Sequence, residues 1–339
     1  MRVFVTGIEG VLGTVLAKEL RARGHEVFGC DLRHSADPNV VRADVSNSRQ
    51  LCEALDHFHG PLWERSYDLF FNFAAEFGRK NGEDFFEDLW RTNMIGNQNV
   101  INECIIRDIV MVFESSSEAY GLSEIYNNGE ALREEMLDQF VPSFHNQYSL
   151  SKWANERQIH TAVRNEGLGA IILRFFNVYG PPEHFSPYRS VVCQFAWKLL
   201  NGLPLTVNRE GKRSHLWIGD WANTVANIAQ EDRLKRLFNG QVWPGAGGTP
   251  NVPVFNIGGT EYETVEHLYY LLKEIVSEIP QVPFSDVTFI DSELANSATK
   301  QPDNTQAIRY LDHNPVMPFE EGLEETVARL WEIRERLNG

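Results

Sequence analysis

A glycine-rich loop at the start of the chain is the feature that most constrains its fold. The apolar run Arg2–Thr6 predicts a buried strand, and residues 11–23 have the apolar spacing of an amphipathic helix. Between them, Gly7, Gly10 and Gly13 permit a tight turn, a close backbone approach to a phosphate, and close packing of helix on strand. A strand, a glycine loop and a helix in this order predict a dinucleotide-binding unit.

Short apolar segments continue to alternate with amphipathic ones through the first half of the chain. Such alternation implies right-handed crossovers and a Rossmann-type, doubly wound parallel sheet of the α/β class. The predicted strands are 2–6, 26–31, 40–45, 67–74, 109–114 and 170–175, and the predicted helices include 11–23, 90–106 and 148–166. We therefore expect a dinucleotide-binding domain over residues 1–178.

The pattern changes after Asn177. Proline, glycine and aromatic residues are frequent in 180–190 and 239–253, which predicts loops and small elements. Residues 264–278 and 320–337 read as amphipathic helices, and Asp220 is a candidate helix N-cap. Residues 179–339 are therefore predicted to form mainly a smaller, interleaved substrate domain.

Composition excludes several functional classes. The 339 residues contain 31 Lys plus Arg against 47 Asp plus Glu, a net charge of −16, which disfavours nucleic-acid and anionic-membrane partners. The four cysteines form no CxxC pair, as is typical of a reduced, cytoplasmic protein without a metal site. The first residues are interrupted too early for a signal peptide, and no apolar run approaches the ~20 residues that span a bilayer.

The end of the second predicted strand bears on the choice of dinucleotide. Asp31 offers a carboxylate that can accept both ribose hydroxyls of NAD and would repel a 2′-phosphate. Arg33 could instead receive the phosphate of NADP. The sequence favours NAD and leaves NADP open.

Tyr148 and Lys152 are one helical turn apart in the segment YSLSK. A nearby ammonium favours phenolate and can lower a tyrosine pKa from ~10. Such a tyrosine can take the proton of a substrate hydroxyl while hydride leaves the same carbon. The spacing, downstream of a dinucleotide loop, predicts a dehydrogenase-type site.

A second group of polar residues follows the predicted strand 109–114. Ligand-binding side chains in open α/β sheets gather at the carboxyl ends of strands, where Ser116 and Glu118 lie. The serine hydroxyl can donate to the substrate oxygen that Tyr148 deprotonates. Glu118 has the chemistry of a base for a C–H bond made acidic by an adjacent ketone.

Together these residues resemble the extended short-chain dehydrogenase/reductase family, in its NAD-dependent nucleotide-sugar epimerase/dehydratase branch. The resemblance extends over essentially the whole chain. The matching segments are TGIEGVLG (6–13), ADV (43–45), NFAA (72–75), SSSEAYG (115–121), YSLSK (148–152), RFFNVYGP (174–181), GKRSHLWIGD (211–220), FNIGG (255–259) and EEGL (320–323).

The resemblance implies that NAD oxidises a sugar hydroxyl, usually at C4, of a nucleotide diphosphate sugar and later returns the hydride. It implies catalytic roles for Ser116, Glu118, Tyr148 and Lys152. The implied cofactor-binding residues are Gly7, Gly10, Val11, Leu12, Gly13, Asp31, Arg33, Asp44, Val45, Ala74, Ala75, Asn93, Tyr148 and Lys152, and the implied substrate-binding residues are Glu76, Ser117, Asn177, Arg189 and Arg213. A homodimer through segment 90–106 and the Tyr148 helix is also implied.

The role assigned to Glu118 distinguishes the possible reactions. It resembles the base of sugar 4,6-dehydratases, which removes the C5 proton, and this interpretation is favoured. Ser117 stands where many such enzymes have Asp, so Glu118 would act as both base and acid. The alternatives are an epimerase, a uronate decarboxylase that uses an extra cation such as Arg189 or Lys300, and a non-catalytic dinucleotide sensor. Arg79 and Lys80 are candidates for contacts with the substrate phosphates, and the alternative is that both are solvated charges of a loop.

Overall fold

The computed structural model describes residues 1–58, 67–240, 243, 252–291 and 299–338. The strands in these ranges are β1 Arg2–Thr6, β2 Glu26–Asp31, β3 Val40–Arg42, β4 Leu69–Asn72, β5 Val110–Ser116, β6 Ala170–Phe175, β7 Val178–Tyr179, β8 Leu205–Asn208, β9 Lys212–Ser214, β10 Leu216–Trp217, β11 Val254–Ile257, β12 Tyr262–Thr264, β13 Val287–Ile290 and β14 Thr299–Lys300.

The α-helices in the same ranges are α1 Val11–Ala22, α2 Ser48–Asp56, α3 Arg79–Asp84, α4 Phe86–Trp90, α5 Asn97–Arg107, α6 Met136–Gln139, α7 Gln147–Glu166, α8 Val191–Leu200, α9 Ile218–Ala226, α10 Glu231–Leu237, α11 Val265–Ser277, α12 Thr305–Leu311 and α13 Phe319–Asn338. A π-helical turn, Arg91–Gly96, joins α4 to α5, and 3₁₀ turns occupy Ser117–Tyr120 and Ser123–Ile125.

A seven-stranded sheet with the order β11-β6-β5-β4-β1-β2-β3 forms the centre of the fold. Each neighbouring pair in it is parallel. The strand order reverses between β1 and β4, and ligands of open α/β sheets bind beyond the carboxyl ends of strands at such a point. The predicted doubly wound α/β fold is confirmed, and β11 shows that the C-terminal half returns to the sheet.

Burial explains why the central strands are continuously apolar. All residues of β4 and β6 are buried, because helices cover both faces of the sheet. A second hydrophobic cluster lies in the C-terminal half, between helices α8, α11 and α13 and the short strand β8. Outside the central sheet, β8 pairs with β13, β10 pairs with β7, and β12, β9 and β14 form a three-stranded sheet.

Some local predictions were wrong. The predicted strand 40–45 ends at Arg42, and the predicted helix 90–106 is divided by the π-helical turn. Asp220 is not an N-cap: it lies inside the first turn of α9, and its Oδ2 accepts from the backbone N–H groups of Val316 and Met317. Most of the predicted loop 239–253 lies outside the described residues.

No helix among the described residues is long and apolar enough to cross a membrane. Within those same ranges, no group of His, Cys, Asp and Glu side chains is arranged to hold a metal ion.

Candidate active site

The glycine loop forms a cradle that side chains would fill. Gly7 has φ +68°, and a Cβ there would lie 2.7 Å from the carbonyl oxygen of Phe73. A Cβ on Gly13 would lie 2.2 Å from the Gly7 oxygen. Because these positions carry no side chain, the start of α1 packs close to β1 and leaves its backbone N–H groups open to a phosphate. The residues present therefore fit a dinucleotide.

A cavity of about 1100 Å³ opens beyond the carboxyl ends of the central strands. It is large enough for two ligands of nucleotide size. The predicted site residues that line it are Gly7, Gly10, Val11, Leu12, Gly13, Asp31, Arg33, Asp44, Val45, Ala74, Ala75, Glu76, Ser116, Ser117, Glu118, Tyr148, Asn177, Arg189 and Arg213. Asn93 and Lys152 are buried beside the cavity and do not line it.

Asp31 ends β2 and is held by the backbone around it. One carboxylate oxygen accepts from the N–H of Glu9 at 3.0 Å, and the other accepts from the N–H of Arg33 at 3.0 Å. The Arg33 guanidinium also lies 3.5 Å from Asp31. The arginine that could have received a 2′-phosphate is thus paired with the acid that would repel one, which favours NAD.

Tyr148 and Ser116 both line the cavity, and a hydrogen bond with Ser116 acts on the Tyr148 hydroxyl. Tyr148 comes from the first turn of α7, where the Asn146 side chain caps the helix by accepting from the Ser149 N–H at 2.8 Å. Ser116 is the last residue of β5. The arrangement places a phenol and an alcohol where both can reach one substrate oxygen.

The electrostatics of Tyr148 differ from the expectation. Burial raises the pKa of its hydroxyl well above the usual range, and the carboxylates of Glu114 and Glu118 add to the rise, whereas the bond with Ser116 opposes it. The Lys152 ammonium lies 5.8 Å from the ring centroid and donates to the Glu114 carbonyl at 2.7 Å. Lys152 was predicted to lower the pKa of Tyr148. The pKa is raised instead, because burial and the two carboxylates dominate.

Asn93 acts through its neighbours and does not face the cavity. From the π-helical turn its side chain accepts from the Glu76 N–H at 2.9 Å and donates to the Glu76 carbonyl and to Ser151 Oγ, each at 3.0 Å. Ser151 lies between Tyr148 and Lys152 in α7. Asn93 therefore supports the site through Glu76 and Ser151, and a contact with the cofactor stays a prediction.

Glu118 follows β5 and forms a buried ion pair that spacing alone could not predict. Its Oε1 accepts from the Lys300 ammonium at 2.5 Å, and its Oε2 accepts from Ser149 Oγ at 2.7 Å. Burial would raise the pKa of Glu118, but Lys300, Arg79 and the Ser149 bond outweigh it and lower that pKa to about 2. Burial also lowers the pKa of Lys300.

A polar network behind β5 holds this strand end in place. Ser115 Oγ donates to Glu156 at 2.6 Å, and Arg174 binds both carboxylate oxygens of Glu156 at 3.0 and 2.8 Å. Arg174 also donates to the Tyr120 hydroxyl at 3.0 Å. Ser115 and Ser116 point to opposite faces of the strand, so the rigid network on one face orients the reactive hydroxyl on the other. Sequence reasoning did not find Ser149, Ser151 or this network.

The C-terminal half supplies the other wall of the cavity. Asn177 adopts φ +39° and donates to the Ser214 carbonyl at 2.9 Å. Arg213 lies on β9, directly opposite Lys300 of β14. The Arg189 guanidinium stacks over the Phe77 ring at 4.8 Å. These side chains come from loops and short strands that are far apart in sequence.

Lys80 also lines the cavity, and its side chain is exposed. Its ammonium lies 2.5 Å from the Asp84 carboxylate and over the Tyr188 ring. The interpretation of Lys80 as a solvated surface charge is thus favoured over a phosphate contact.

A family model for the NAD dependent epimerase/dehydratase family matches residues 3–239. The chain belongs to that family. The match confirms the resemblance and NAD as the cofactor.

Relatives within the family differ in their reactions. The UDP-N-acetyl-alpha-D-glucosaminuronate decarboxylase of Bacillus cytotoxicus is 25% identical over 336 residues, 98% of each chain. The UDP-glucose 4-epimerase of Thermus thermophilus, solved with NAD, has a TM-score of 0.77 at 22% identity over 98% of this chain and 99% of its own. DesIV, a dTDP-glucose 4,6-dehydratase of Streptomyces venezuelae, has a TM-score of 0.78 at 22% identity over 99% and 98%. The two solved structures, the epimerase and DesIV, have the same fold as this chain.

Proposed function

We propose that this chain is a nucleotide-hexuronate decarboxylase that works through a transient 4-keto sugar. In this reaction the C4 hydroxyl is oxidised, the C6 carboxylate leaves as carbon dioxide, C5 takes up a proton, and the ketone is reduced again. The reaction has no net redox change, since the hydride removed from C4 returns to it. The substrate is a nucleotide diphosphate sugar with an acidic C6.

The first step is supported by the paired hydroxyls of Ser116 and Tyr148. Bound NAD supplies the hydride acceptor, and its oxidised ring adds a positive charge that favours phenolate. Tyr148 then takes the C4 hydroxyl proton, and Ser116 donates to the same oxygen. When the ketone forms, both hydroxyls can stabilise negative charge on that oxygen.

The observation that carries the choice of reaction is the Glu118–Lys300 ion pair. A dehydratase needs a base at C5, and a carboxylate with a pKa near 2 is a weak one, because the best catalytic pKa lies near the working pH. A decarboxylase needs no base there. Once C4 is a ketone, the C5–C6 bond breaks as carbon dioxide leaves, and its electron pair enters the enolate.

Protonation of C5 then completes the decarboxylation. Lys300 carries the proton and is hydrogen-bonded to Glu118, which lines the cavity. Its lowered pKa makes the buried ammonium a better proton donor than an exposed lysine. The Glu118–Lys300 pair supplies one proton to C5 and regains it from solvent, and Tyr148 returns its proton to the C4 oxygen as hydride returns to C4.

The relatives support the reaction class without deciding the reaction. The decarboxylase of Bacillus cytotoxicus matches 98% of this chain. A UDP-glucuronic acid decarboxylase of Xenopus tropicalis is 25% identical over 330 residues and matches 96% of this chain. A 4,6-dehydratase is the second candidate, because Glu118 lines the cavity close to Tyr148, where a C5 base would act.

Product mass separates these functions. Purified protein is incubated in heavy water with a panel of nucleotide hexoses and nucleotide hexuronates. Loss of carbon dioxide from a uronate, with one deuterium gained at C5, is the expected result. Loss of water from a hexose would replace the proposal with the dehydratase, and a new isomer of unchanged composition would replace it with an epimerase. Bound cofactor without any product would indicate a sensor.

A further inference from the structure

Glu114 is an acidic residue of the catalytic strand that the proposed reaction does not use. It lies on β5 two residues before Ser116. Side chains at this spacing point to the same face of a strand, about 7 Å apart along it. Glu114 is partly exposed and lines the cavity, as Ser116 does. Its carboxyl group is therefore open to a bound ligand.

The register of the sheet places Glu114 between the glycine loop and the catalytic hydroxyls. Asn72 of β4 pairs with Phe113 of β5. The next residues along the two strands, Phe73 and Glu114, are therefore neighbours. Phe73 in turn lies against the glycine loop, since a Cβ on Gly7 would be 2.7 Å from its carbonyl oxygen. One strand thus separates Glu114 from the loop that fits a pyrophosphate.

The reactive ring of the dinucleotide has to reach this same region. Tyr148 and Ser116 would hold the oxygen of the sugar carbon that loses hydride, and the acceptor ring must come within about 3.5 Å of that carbon. Strand β4 lies between β1 and β5, and Ala74 and Ala75, which follow it, line the cavity. A dinucleotide that runs from the glycine loop past these alanines brings its nicotinamide to the end of β5 that carries Glu114.

The charge of that ring depends on its oxidation state. The nicotinamide ring carries a positive charge in NAD and none in NADH, so a carboxylate beside it stabilises only the oxidised form. Burial raises the pKa of Glu114, whereas the Lys152 ammonium lowers it, and a positive ring would lower it further. Lys152 donates to the Glu114 carbonyl at 2.7 Å. The carboxylate therefore also offsets an ammonium that would repel the oxidised ring.

We infer that Glu114 contacts the nicotinamide end of the bound cofactor and makes the protein bind NAD in preference to NADH. An enzyme that removes a hydride and later returns it must begin each cycle with NAD. The same preference favours return of the hydride to the ketone. The inference rests on NAD as the cofactor, and it holds for a decarboxylase, a dehydratase or an epimerase alike.

Competition between NAD and NADH for the full chain tests the inference without any sugar substrate. The fluorescence of bound NADH gives the ratio of the two dissociation constants. We expect Glu114→Gln to shift this ratio about 10- to 100-fold towards NADH, because glutamine keeps the size and polarity but lacks the charge. A 10-fold shift corresponds to about 30 mV in the reduction potential of the bound cofactor. Glu114→Ala removes the same charge and should shift the ratio in the same direction.

A second carboxylate of the predicted cofactor site provides the matched control. Asp31→Asn should weaken the binding of both forms and leave their ratio unchanged, because the ribose that Asp31 is predicted to bind is the same in NAD and NADH. A wild-type ratio that favours NADH, or an unchanged ratio in both Glu114 variants, would overturn the inference. Retained NADH binding shows that a variant is folded. Because no product is measured, failure of the proposed decarboxylation would leave this result intact.

Discussion

The Lys300 ammonium lies 2.5 Å from the Glu118 carboxylate, although the two residues are 182 positions apart in the chain. Lys300 reaches Glu118 because β14 pairs with β9 and because the next residue, Gln301, accepts from the Leu132 N–H at 2.7 Å. The lysine side chain is 2% exposed and that of the glutamate 19%. The pair therefore joins the C-terminal segment to the end of the catalytic strand.

Breaking this pair on one side should destabilise the protein. Removing one partner of a buried ion pair leaves an uncompensated charge and typically costs about 3–5 kcal/mol. We expect Glu118→Gln and Lys300→Met each to lower the free energy of unfolding substantially, and the double variant to lose less than the sum. Urea unfolding of all four proteins measures this coupling. Additive losses would contradict it, and Glu130→Gln, in an exposed pair with Arg133, is the control.

Tyr148→Phe should abolish C4 oxidation while NAD stays bound. The variant keeps the ring and its packing and loses only the hydroxyl that exchanges the proton, so the rate should fall by about 10²- to 10⁴-fold or more. NADH absorbance in a single turnover measures the step, and NAD titration measures binding. Tyr126→Phe, which removes a hydroxyl that donates to the Tyr120 carbonyl, should leave the rate near wild type. Turnover retained in Tyr148→Phe would exclude Tyr148 as the base.

Glu114→Gln should shift the pH dependence of oxidation downwards. After burial, the Glu114 carboxylate is the next cause of the raised pKa of Tyr148, because a negative charge opposes phenolate formation. Removing that charge lowers the pKa, so the rise of NADH formation with pH should move to lower pH. Glu183→Gln is the matched control, since this acid lines the same cavity but is bound by Ser190. An unchanged or upward-shifted profile for Glu114→Gln would contradict the expectation.

Gly13→Ala should impair both folding and cofactor binding. Its Cβ would lie 2.2 Å from the Gly7 oxygen and 2.8 Å from the Ile8 Cα, and backbone atoms cannot move aside as a side chain can. Overpacking of this kind typically costs about 1–3 kcal/mol. Thermal unfolding and NAD titration measure the two effects. Gly169→Ala, whose Cβ would meet Val110 at 3.4 Å, should be tolerated, and equal behaviour of the two variants would contradict the steric argument.

Local patterns predicted the sheet well where burial is continuous. The bounds of β1, β2 and β6 agree with the predicted segments, because a strand covered on both faces needs an unbroken apolar run. The predicted helices 11–23 and 148–166 agree with α1 and α7 to within one residue, whereas the predicted helix 90–106 was wrong in part. Residues 91–96 form a π-helical turn, and helical periodicity does not distinguish this from α-helix. The homodimer and the domain boundary at 178 stay predictions.

The sequence by itself determined the family, the glycine cradle and the identity of the groups around the cavity, since these follow from residue type and short spacing. Tertiary structure alone decided how those groups are charged and paired. Packing brought Lys300 to Glu118 and turned Asn93 towards Ser151. It also buried Tyr148 and placed Glu114 near it, so that the pKa of Tyr148 rises where Lys152 was expected to lower it. The physical reason is that electrostatic interactions depend on distance and desolvation, and residues far apart in the chain acquire both only when it folds.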